Sequence, residues 1–438
     1  MPDRPAVEFV VPAYNAADTL ADTLRSLVAQ SEPRWRAVVV DDGGQDNPEA
    51  VVGEINDPRI RIERRTNGGL AAARNTGYRS TTAPAICFLD ADDLVEPDFA
   101  RRMLARLRDA DAAACWFRYV GPMLDDLGWT YRVGEHDLHT DRLAGMNPLG
   151  VGGVVVRRDA LDRVRGGGAV FDESLPVVED WDLWLRLDAI GARWAIEPAA
   201  LFVCRLRAQS LSAGVERMWR EGLRVVRTSA AAAARRAGLD ERALERRWHL
   251  RHLARGVAAD DAGLVRAIRA ELGPLTADDD AELVGALREA FCRRHAVGEH
   301  DAGMRAAAWR ATIARCLPDR PALAPRVSWT PGRWATIARR AAAAVPAGGT
   351  LVIYGLGLNG RAALDALADG PVPVAAIDDH PGAHCPVPRL GVHDLTSSHR
   401  VLVTPDRRET IVSRLREAGI DRVLLPEMFE DEPARRAS

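Results

Sequence analysis

Lysine is absent from this chain of 438 residues, so all 59 of its Lys and Arg residues are arginines. Codon bias in a GC-rich genome explains this most simply. The absence still excludes sites that need a lysine amine, namely a P-loop nucleotide site, a Schiff-base enzyme and the Tyr/Lys pair of a dehydrogenase.

Paired cysteines and long apolar runs are also missing. The six cysteines are widely spaced and form no C-x-x-C pair, which argues against a zinc site and a disulfide framework. No stretch approaches the roughly 18 apolar residues that a membrane-spanning helix needs, and the N-terminus lacks the pattern of a signal segment. We expect a cytoplasmic protein, with peripheral contact at the inner face of the membrane as an open alternative.

Basic and acidic residues nearly balance, since 59 basic and 62 acidic residues give a formal net charge of −3. We therefore expect no nucleic-acid partner. A hydrophobic content of 47% is sufficient for ordinary packed cores, and the length predicts two or three domains. Nothing in the composition indicates an oligomeric state.

A short apolar stretch that ends in three carboxylates is the most informative feature. Residues 85–89 are all apolar and predict a buried strand, and Asp90, Asp92 and Asp93 follow it. Carboxylates this close repel one another. Mg²⁺ or Mn²⁺ resolves the conflict, because it takes one or two carboxylates and completes its shell with water and phosphate oxygens. The stretch predicts a metal and diphosphate site.

Two earlier predicted strands also end in polar loops. Residues 7–11 lead into Pro12-Ala13-Tyr14-Asn15, and residues 37–40 lead into Asp41-Asp42-Gly43-Gly44. A helix between them makes a parallel unit in which both strand ends lie at one edge of the sheet. Ligands bind at this edge in open α/β sheets. We therefore predict an α/β domain with its site there.

Five segments, taken in order, resemble the motifs of family 2 glycosyltransferases, which are inverting enzymes with the GT-A fold. They lie within about residues 6–215 and read VVPAYNAADTLADTLRSLVAQ, VVVDDGGQDN, NGGLAAARNTG, FLDADD and FDESLPVVEDWDLWLRL. The resemblance implies transfer of a sugar from a UDP-, GDP- or dTDP-sugar. The acceptor would be a hydroxyl of a saccharide, a lipid-linked glycan or another cell-surface or secondary-metabolite precursor.

The resemblance also implies roles for individual residues. Asp92 would ligate Mg²⁺ or Mn²⁺ together with Asp90, as the ends of a DxD motif. Asp180 would be the general base, with Glu179 bracing the acceptor or the loop. The donor nucleotide site would comprise Pro12, Tyr14, Asn15, Asp41, Asp42, Gly68, Arg74, Asp90, Arg205 and Arg207.

Several of these residues have structural alternatives. Tyr14 is equally consistent with a core ring, Asp41 with a turn former and Arg74 with a solvated helix residue. Glu179 and Asp180 also suit the first turn of a helix, where the dipole favours carboxylates.

The sequence departs from the family pattern at two positions. Gly44 stands where Ser is common, which we expect to loosen that turn. Arg207 stands where His is common, and since Arg binds phosphate but does not ligate metal, Arg205 and Arg207 become candidates for the diphosphate.

The remaining chain predicts two further regions. We expect a GT-A domain over 1–215, an α-helical linker or accessory region over 216–345, a Rossmann-like α/β domain over 346–430 and a disordered tail over 431–438. The third region resembles the nucleotide-sugar-binding domain of sugar acyltransferases. Its dinucleotide-type fingerprint predicts a second nucleotide site at Gly355, Gly357, Gly360 and Asp378, and a purely structural role is the alternative.

Two other functions remain open. A nucleotidyltransferase on a related fold would need a basic, Gly-rich loop after the first strand, and Pro12-Ala13-Tyr14-Asn15 does not supply one. A nucleotide-sugar-binding or assembly protein with a lapsed transferase site is disfavoured by the presence of Asp90, Asp92 and Asp180.

Overall fold

A computed structural model describes residues 4–207, 214–276, 279–295, 299–321, 323, 338–346, 348–354, 367, 373–377, 388, 390, 394–395, 398–403, 415–416, 420 and 423–424. The chain divides into two units, Met1–Gly298 and Glu299–Ser438.

Several strands of the first unit are rich in Val or Ile, whose β-branched side chains pack well on a pleated surface. These strands are β1 (Val7–Ala13), β2 (Trp35–Asp41), β3 (Ile60–Arg64), β4 (Ala85–Phe88), β5 (Leu94–Val95), β6 (Ala112–Val120), β7 (Asp126–Tyr131), β8 (Val154–Arg157) and β9 (Trp194–Arg205). They form one mixed sheet in the order β3-β2-β1-β4-β8-β6-β9-β5, with β7 beside β6.

The first half of this sheet is parallel. β1 lies between β2 and β4, and Ala13 pairs in register with Asp41 while Val10 pairs with Phe88. The apolar side chains of β1, β2 and β4 are almost fully buried on both faces. β8 runs antiparallel to β4, so the sheet changes from parallel to antiparallel pairing at β4, the strand that precedes Asp90.

Helices cover this sheet and continue beyond it. They are α1 (Ala17–Val28), α2 (Pro48–Ile55), α3 (Leu70–Ser80), α4 (Phe99–Arg106), α5 (Thr140–Gly145), α6 (Arg158–Arg165), α7 (Glu179–Ala189), α8 (Val215–Val225), α9 (Ala231–Ala237), α10 (Glu241–Ala258), α11 (Ala262–Leu272) and α12 (Asp279–His295). Short 3₁₀ helices occupy Glu135–Leu138 and Val151–Gly153, and a π-helical turn, Val226–Ala230, joins α8 to α9.

The helices that follow the sheet pack directly against α7. The rings of Trp181 in α7 and Trp248 in α10 stack with centroids 4.9 Å apart and an interplanar angle of 16°. Gly222 in α8 leaves the space for this arrangement, because a Cβ at that position would overlap the Trp248 ring. Residues 215–258 therefore support the helix that carries Glu179 and Asp180.

The second unit contains a smaller parallel sheet. After α13 (Glu299–Cys316), its described strands are β10 (Thr350–Tyr354), β11 (Val374–Ile377), β12 (His399–Val403) and β13 (Val423–Leu424), in the order β11-β10-β12-β13. Apolar side chains of β10 to β12 form its core with Leu415. Gly355, Gly357, Gly360 and Asp378 lie outside the described residues.

The predicted fold class is confirmed. A curled, mixed α/β sheet is followed by a helical region and then by a small parallel α/β sheet. Across the helices that the structure describes, none has both the length and the apolar character required to cross a bilayer.

Candidate active site

The carboxyl ends of β1, β2 and β4 meet at one edge of the sheet, as their parallel pairing requires. The backbone N–H of Asp42 donates to the carbonyl of Ala13 at 2.9 Å, which joins the loops after β1 and β2. Pro12 is buried within β1, beside Val40 of β2. This edge places the predicted site loops next to one another.

The loop after β1 carries an exposed aromatic ring. Tyr14 is 55% exposed, so the alternative that it is a core residue is wrong. Asn15 has a φ of 49°, in the left-handed region that Asn tolerates better than most residues. Its Oδ1 accepts a hydrogen bond from the backbone N–H of Gln45 at 2.8 Å, which ties this loop to the one after β2.

Gly44 packs closely against the loop after β1. A Cβ at this position would lie 2.9 Å from the backbone nitrogen of Asn15 and 2.7 Å from Oδ1 of Asp46. The absence of a side chain at Gly44 therefore allows the two loops to approach, and a looser turn than Ser would give stays a prediction.

Asp41 is buried and shapes the turn that follows it. Its Oδ1 accepts the backbone N–H groups of Gly43 and Gly44 at 3.0 and 3.2 Å, and its Oδ2 lies 3.4 Å from Nε of Arg64. The turn-forming alternative is thus confirmed. The place of Asp41 in the donor nucleotide site stays a prediction.

Asp42 holds the loop that precedes α3. Its Oδ1 accepts the backbone N–H of Gly68 at 3.1 Å and Nη1 of Arg65 at 2.9 Å. Its Oδ2 accepts the N–H of Gly69, whose φ of 89° favours glycine. Asp42 and Gly68 therefore fix the start of the helix that presents Arg74.

Arg74 is buried between two carboxylates from distant segments, so the alternative of a solvated helix residue is wrong. Its Nη2 donates to Oδ1 of Asp90 at 2.6 Å, and its Nη1 donates to Oε1 of Glu179. Burial opposes the charge, but the carboxylates of Asp90, Glu179 and Asp180 outweigh it and raise the pKa of the guanidinium. Arg74 thus joins the β4 loop to the first turn of α7.

Glu179 is buried at the start of α7, and Asp180 beside it is partly exposed. Burial raises the pKa of Glu179 to about 7, with the charge of Asp180 adding to the shift and Arg74 opposing it. Burial also raises the pKa of Asp180, although Arg74 and two hydrogen bonds lower it. A carboxylate with a raised pKa next to solvent is suited to accepting a proton.

The residue before these acids has a strained backbone. Val178 has a φ of 60°, a region that a β-branched residue rarely occupies. Its carbonyl accepts the N–H of Asp182 at 3.2 Å, which starts α7 at this point. Strain of this kind is often found at functional sites. Here the backbone conformation of Val178 sets the start of the helix whose first residues are Glu179 and Asp180.

Asp93 organises the loop after β4. Its backbone N–H donates to the carbonyl of Asp90 at 3.1 Å, and its Oδ1 accepts the N–H of Arg205 at 2.9 Å. Its carbonyl also accepts the Thr23 hydroxyl at 2.8 Å. Since Asp93 is buried in this role, Asp90 and Asp92 are the partly exposed acids of the three.

Asp90 and Asp92 are the candidate ligands for a divalent cation. Burial and the charge of Asp90 raise the pKa of Asp92 to about 6, so a cation between the two carboxylates would relieve a repulsion. Arg74 occupies one oxygen of Asp90. No cluster of three His, Cys, Asp or Glu side chains suited to a metal occurs among the described residues. The pair therefore fits Mg²⁺ or Mn²⁺ with water and phosphate oxygens as the other ligands.

Arg205 and Arg207 bind acids of α1. Nη2 of Arg205 donates to Oδ2 of Asp22 at 2.9 Å, and Nη2 of Arg207 donates to Oδ2 of Asp18 at 2.7 Å. Both guanidinium charges lower the pKa of Asp92, so both lie near the candidate metal site. Their contact with a diphosphate stays a prediction.

Asn75 is a site residue that the sequence motifs do not include. Its side chain forms hydrogen bonds with both the N–H and the carbonyl of Phe171, each at 2.9 Å, and with Oε1 of Glu173 at 2.9 Å. It therefore holds the segment that leads into α7. A polar residue beside Arg74 in an otherwise Ala-rich helix was the available signal. Asn147, which contacts Asp180, gave no such signal.

The N-terminal region matches a known family. Residues 8–165 match the family model described as Glycosyl transferase family 2. This range includes Asp41, Arg74, Asp90 and Asp92 and ends before α7. The match covers about a third of the chain.

The chain is also similar to two succinoglycan biosynthesis proteins of Rhizobium meliloti (strain 1021). It is 33% identical to ExoO over 226 residues, covering 48% of this chain and 63% of that protein. It is 29% identical to ExoU over 274 residues, covering 56% and 76%. The chain therefore spans less than two thirds of the length of ExoO.

Among solved structures, the chain is similar to the mannosyltransferase PcManGT from Pyrobaculum calidifontis in complex with GDP-Man and Mn²⁺. The sequence identity is 21%, the TM-score is 0.42, and the match covers 74% of this chain and 85% of that one.

Proposed function

We propose that this protein is an inverting glycosyltransferase that uses a nucleoside-diphosphate sugar and depends on a divalent metal, with Asp180 as general base. The contact of Arg74 with both Asp90 and Glu179 carries the proposal. Arg74 joins the candidate metal-binding loop to the first turn of α7, which also carries the candidate base Asp180, although about 90 residues separate the two segments in sequence. A lapsed site would not require this arrangement.

In the proposed reaction, the oxygen of an acceptor hydroxyl attacks the anomeric carbon of the donor sugar. The bond from that carbon to the diphosphate oxygen breaks, and the diphosphate leaves with the bonding electrons. Asp180 takes the hydroxyl proton, since it is a partly exposed carboxylate with a raised pKa. A single displacement from the face opposite the diphosphate inverts the anomeric configuration.

Donor binding is assigned to the loops after β1, β2 and β4. In this proposal, the exposed ring of Tyr14 contacts the nucleobase of the donor. Asp41, Asp42, Gly68 and Arg74 surround the same nucleotide. Asp92 and Asp90 would hold Mg²⁺ or Mn²⁺, which stabilises the negative charge on a leaving diphosphate as a Lewis acid. The donor is a UDP-, GDP- or dTDP-sugar.

We assign a growing saccharide as the acceptor. Two relatives are named for the biosynthesis of succinoglycan, and their similarity covers 48% and 56% of this chain. We therefore favour polysaccharide assembly in the cytoplasm, with a saccharide or lipid-linked acceptor and peripheral contact at the inner face of the membrane.

The division of the chain into functional domains is part of the proposal. Residues 1–215 form the transferase domain, 216–345 the helical region and 346–430 the Rossmann-like domain, with a tail over 431–438. A second nucleotide site at Gly355, Gly357, Gly360 and Asp378 remains a sequence prediction.

A donor hydrolysis assay tests the proposal. The purified protein is incubated with a panel of UDP-, GDP- and dTDP-sugars, with and without Mn²⁺, and the products are separated. We expect a free sugar and a nucleoside diphosphate from at least one donor, and only with the metal. Nucleoside monophosphate or pyrophosphate would indicate nucleotidyl transfer. Binding of a donor without turnover would favour a nucleotide-sugar-binding protein.

A further inference from the structure

Asn147 lies between α5 and the 3₁₀ helix Val151–Gly153, and its side chain contacts the candidate base. Its Nδ2 donates to Oδ2 of Asp180 at 3.0 Å. Its Oδ1 accepts the backbone N–H of Leu149 at 3.2 Å. This second bond fixes which end of the amide faces Asp180, because only an oxygen can accept from Leu149. The amide therefore presents a donor to the carboxylate.

The segment that carries Asn147 is itself anchored to α7. Nε1 of Trp181 donates to the carbonyl of Leu143 at 2.7 Å, and the N–H of Met146 donates to the carbonyl of Arg142 at 3.1 Å. Two consecutive residues of α7, Asp180 and Trp181, are thus bound by one short stretch of chain. Asn147 is held at a fixed distance from the base.

Among the described residues, each oxygen of the Asp180 carboxylate has one hydrogen-bond donor. The backbone N–H of Trp181 binds Oδ1 at 2.7 Å, and Asn147 binds Oδ2. Since each carboxylate oxygen accepts about two hydrogen bonds, one site on each oxygen remains for a substrate. Two donors from different directions fix the plane of the carboxylate.

We propose that Asn147 is a positioning residue that holds the Asp180 carboxylate in the orientation from which it takes the acceptor proton, an inference that rests on the proposed function. Charged groups also act on Asp180, namely Arg74 of α3, Asp90 of the β4 loop and the adjacent Glu179. Asn147 differs from them because it is neutral and contacts the reacting carboxylate directly.

The inference predicts a specific kinetic change. The Asn147 hydrogen bond favours the ionised carboxylate and so lowers the pKa of Asp180. In Asn147→Leu, which keeps the side-chain size but removes the donor, this pKa should rise. The acid limb of the pH–rate profile should then move to higher pH. We expect kcat to fall about tenfold or more, because hydrogen bonds to charged groups are among the stronger ones, while the donor KM stays within about twofold.

The test measures Mn²⁺-dependent hydrolysis of the UDP-, GDP- or dTDP-sugar that the wild type turns over, across a range of pH. Thr140→Ala is the matched control, since it removes a hydrogen bond to α7 from the helix just before Asn147, between Thr140 of α5 and Asp188 at 2.9 Å. We expect its pH profile to match the wild type. Asn147→Gln, which retains a donor, should recover part of the lost kcat.

The results that would contradict this inference differ from those that would contradict the proposed function. If Asn147→Leu has the kcat and pH profile of the wild type, or if Thr140→Ala reproduces its defect, the positioning role is wrong and the proposed function stands. If the wild type hydrolyses no donor in the panel, the proposed function fails and this inference fails with it. Calorimetric donor binding checks the fold of each variant, and Asn147→Ser replaces the leucine variant if that one does not fold.

Discussion

Asp180 and Asp92 lie on different elements and contact different partners, so their substitution should have different effects. Asp180→Asn removes the base and keeps the size of the side chain, but its amide nitrogen cannot accept one of the two hydrogen bonds that the carboxylate oxygens accept. We expect turnover to fall by about 10²-fold or more, with donor affinity within about twofold of the wild type. Asp92→Ala should instead weaken donor binding in the presence of Mn²⁺. Calorimetric titration of both variants checks this, and an equal loss of donor affinity would contradict the assigned roles.

The pH dependence of donor binding should reflect the titration of Asp92. Its pKa is raised to about 6 by burial and by Asp90, so the carboxyl is protonated below that pH and ionised above it. A protonated carboxyl is a poor metal ligand. At low Mn²⁺ concentration, the metal-dependent donor affinity should therefore decrease as the pH falls through about 6 and become constant at higher pH.

Titration calorimetry at a series of pH values measures this dependence, with Asp92→Asn as the control. That variant has no carboxyl to titrate at position 92, so its weaker affinity should change little over the same range. An affinity of the wild type that is independent of pH between about 5 and 7 would show that Asp92 does not control metal binding.

The residues of the site differ in how far the sequence predicts them. Asp90 and Asp92 follow a buried strand, and Asp180 begins a helix with clear apolar spacing, so local patterns indicate all three. Asn147 contacts Asp180 across 33 positions of the chain. Arg74 likewise contacts Glu179 across 105 positions. No local pattern encodes a contact at such separations.

At the scale of elements, Arg74 connects α3 with α7 and with the loop after β4. Arg74→Ala would leave Glu179 buried without its cation, and removing one partner of a buried ion pair is costly. We expect a loss of about 3 kcal/mol or more in the free energy of unfolding, together with loss of donor hydrolysis. Guanidinium denaturation measures the first quantity.

Arg79→Ala is the matched control on the same helix. Arg79 is exposed and donates to the Thr76 hydroxyl at 3.0 Å. Its replacement should change the free energy of unfolding by no more than about 0.5 kcal/mol. If the two variants were equally stable, Arg74 would not be the connection between these elements.

The sequence predicts some helices and strands better than others. Runs such as 37–40 and 85–89 indicate buried strands, and these become β2 and β4. Residues 116–175 gave weak patterns because their elements depend on distant pairing. For example, β6 (Ala112–Val120) runs parallel to β9 (Trp194–Arg205), with shifts in register near Trp116. Such a strand becomes recognisable only when its partner is known.

At the scale of the whole molecule, the helices after the sheet support the candidate base. Gly222→Ala would push a methyl group into the Trp248 ring, which stacks on Trp181 beside Asp180. We expect a loss of about 1–3 kcal/mol in the free energy of unfolding, as is usual for overpacking, and a lower rate of donor hydrolysis. Guanidinium denaturation and the hydrolysis assay check both.

Gly53→Ala is the control for helical glycines. No atom outside its own helix and chain neighbours lies within 4 Å of a Cβ at that position, in α2. The substitution should be neutral or stabilise the protein by up to about 1 kcal/mol, because alanine favours a helix more than glycine. If Gly222→Ala behaved in the same way, residues 215–258 would not support α7 as described.

A crystal structure of the full chain with Mn²⁺ and the nucleoside diphosphate of the hydrolysed donor tests the central claim most directly. The account predicts a nucleotide between the loops after β1 and β2, with its diphosphate beside Asp92 and with Asp180 on the opposite side of the pocket. A nucleotide bound away from Asp41, Asp92 and Asp180 would contradict it.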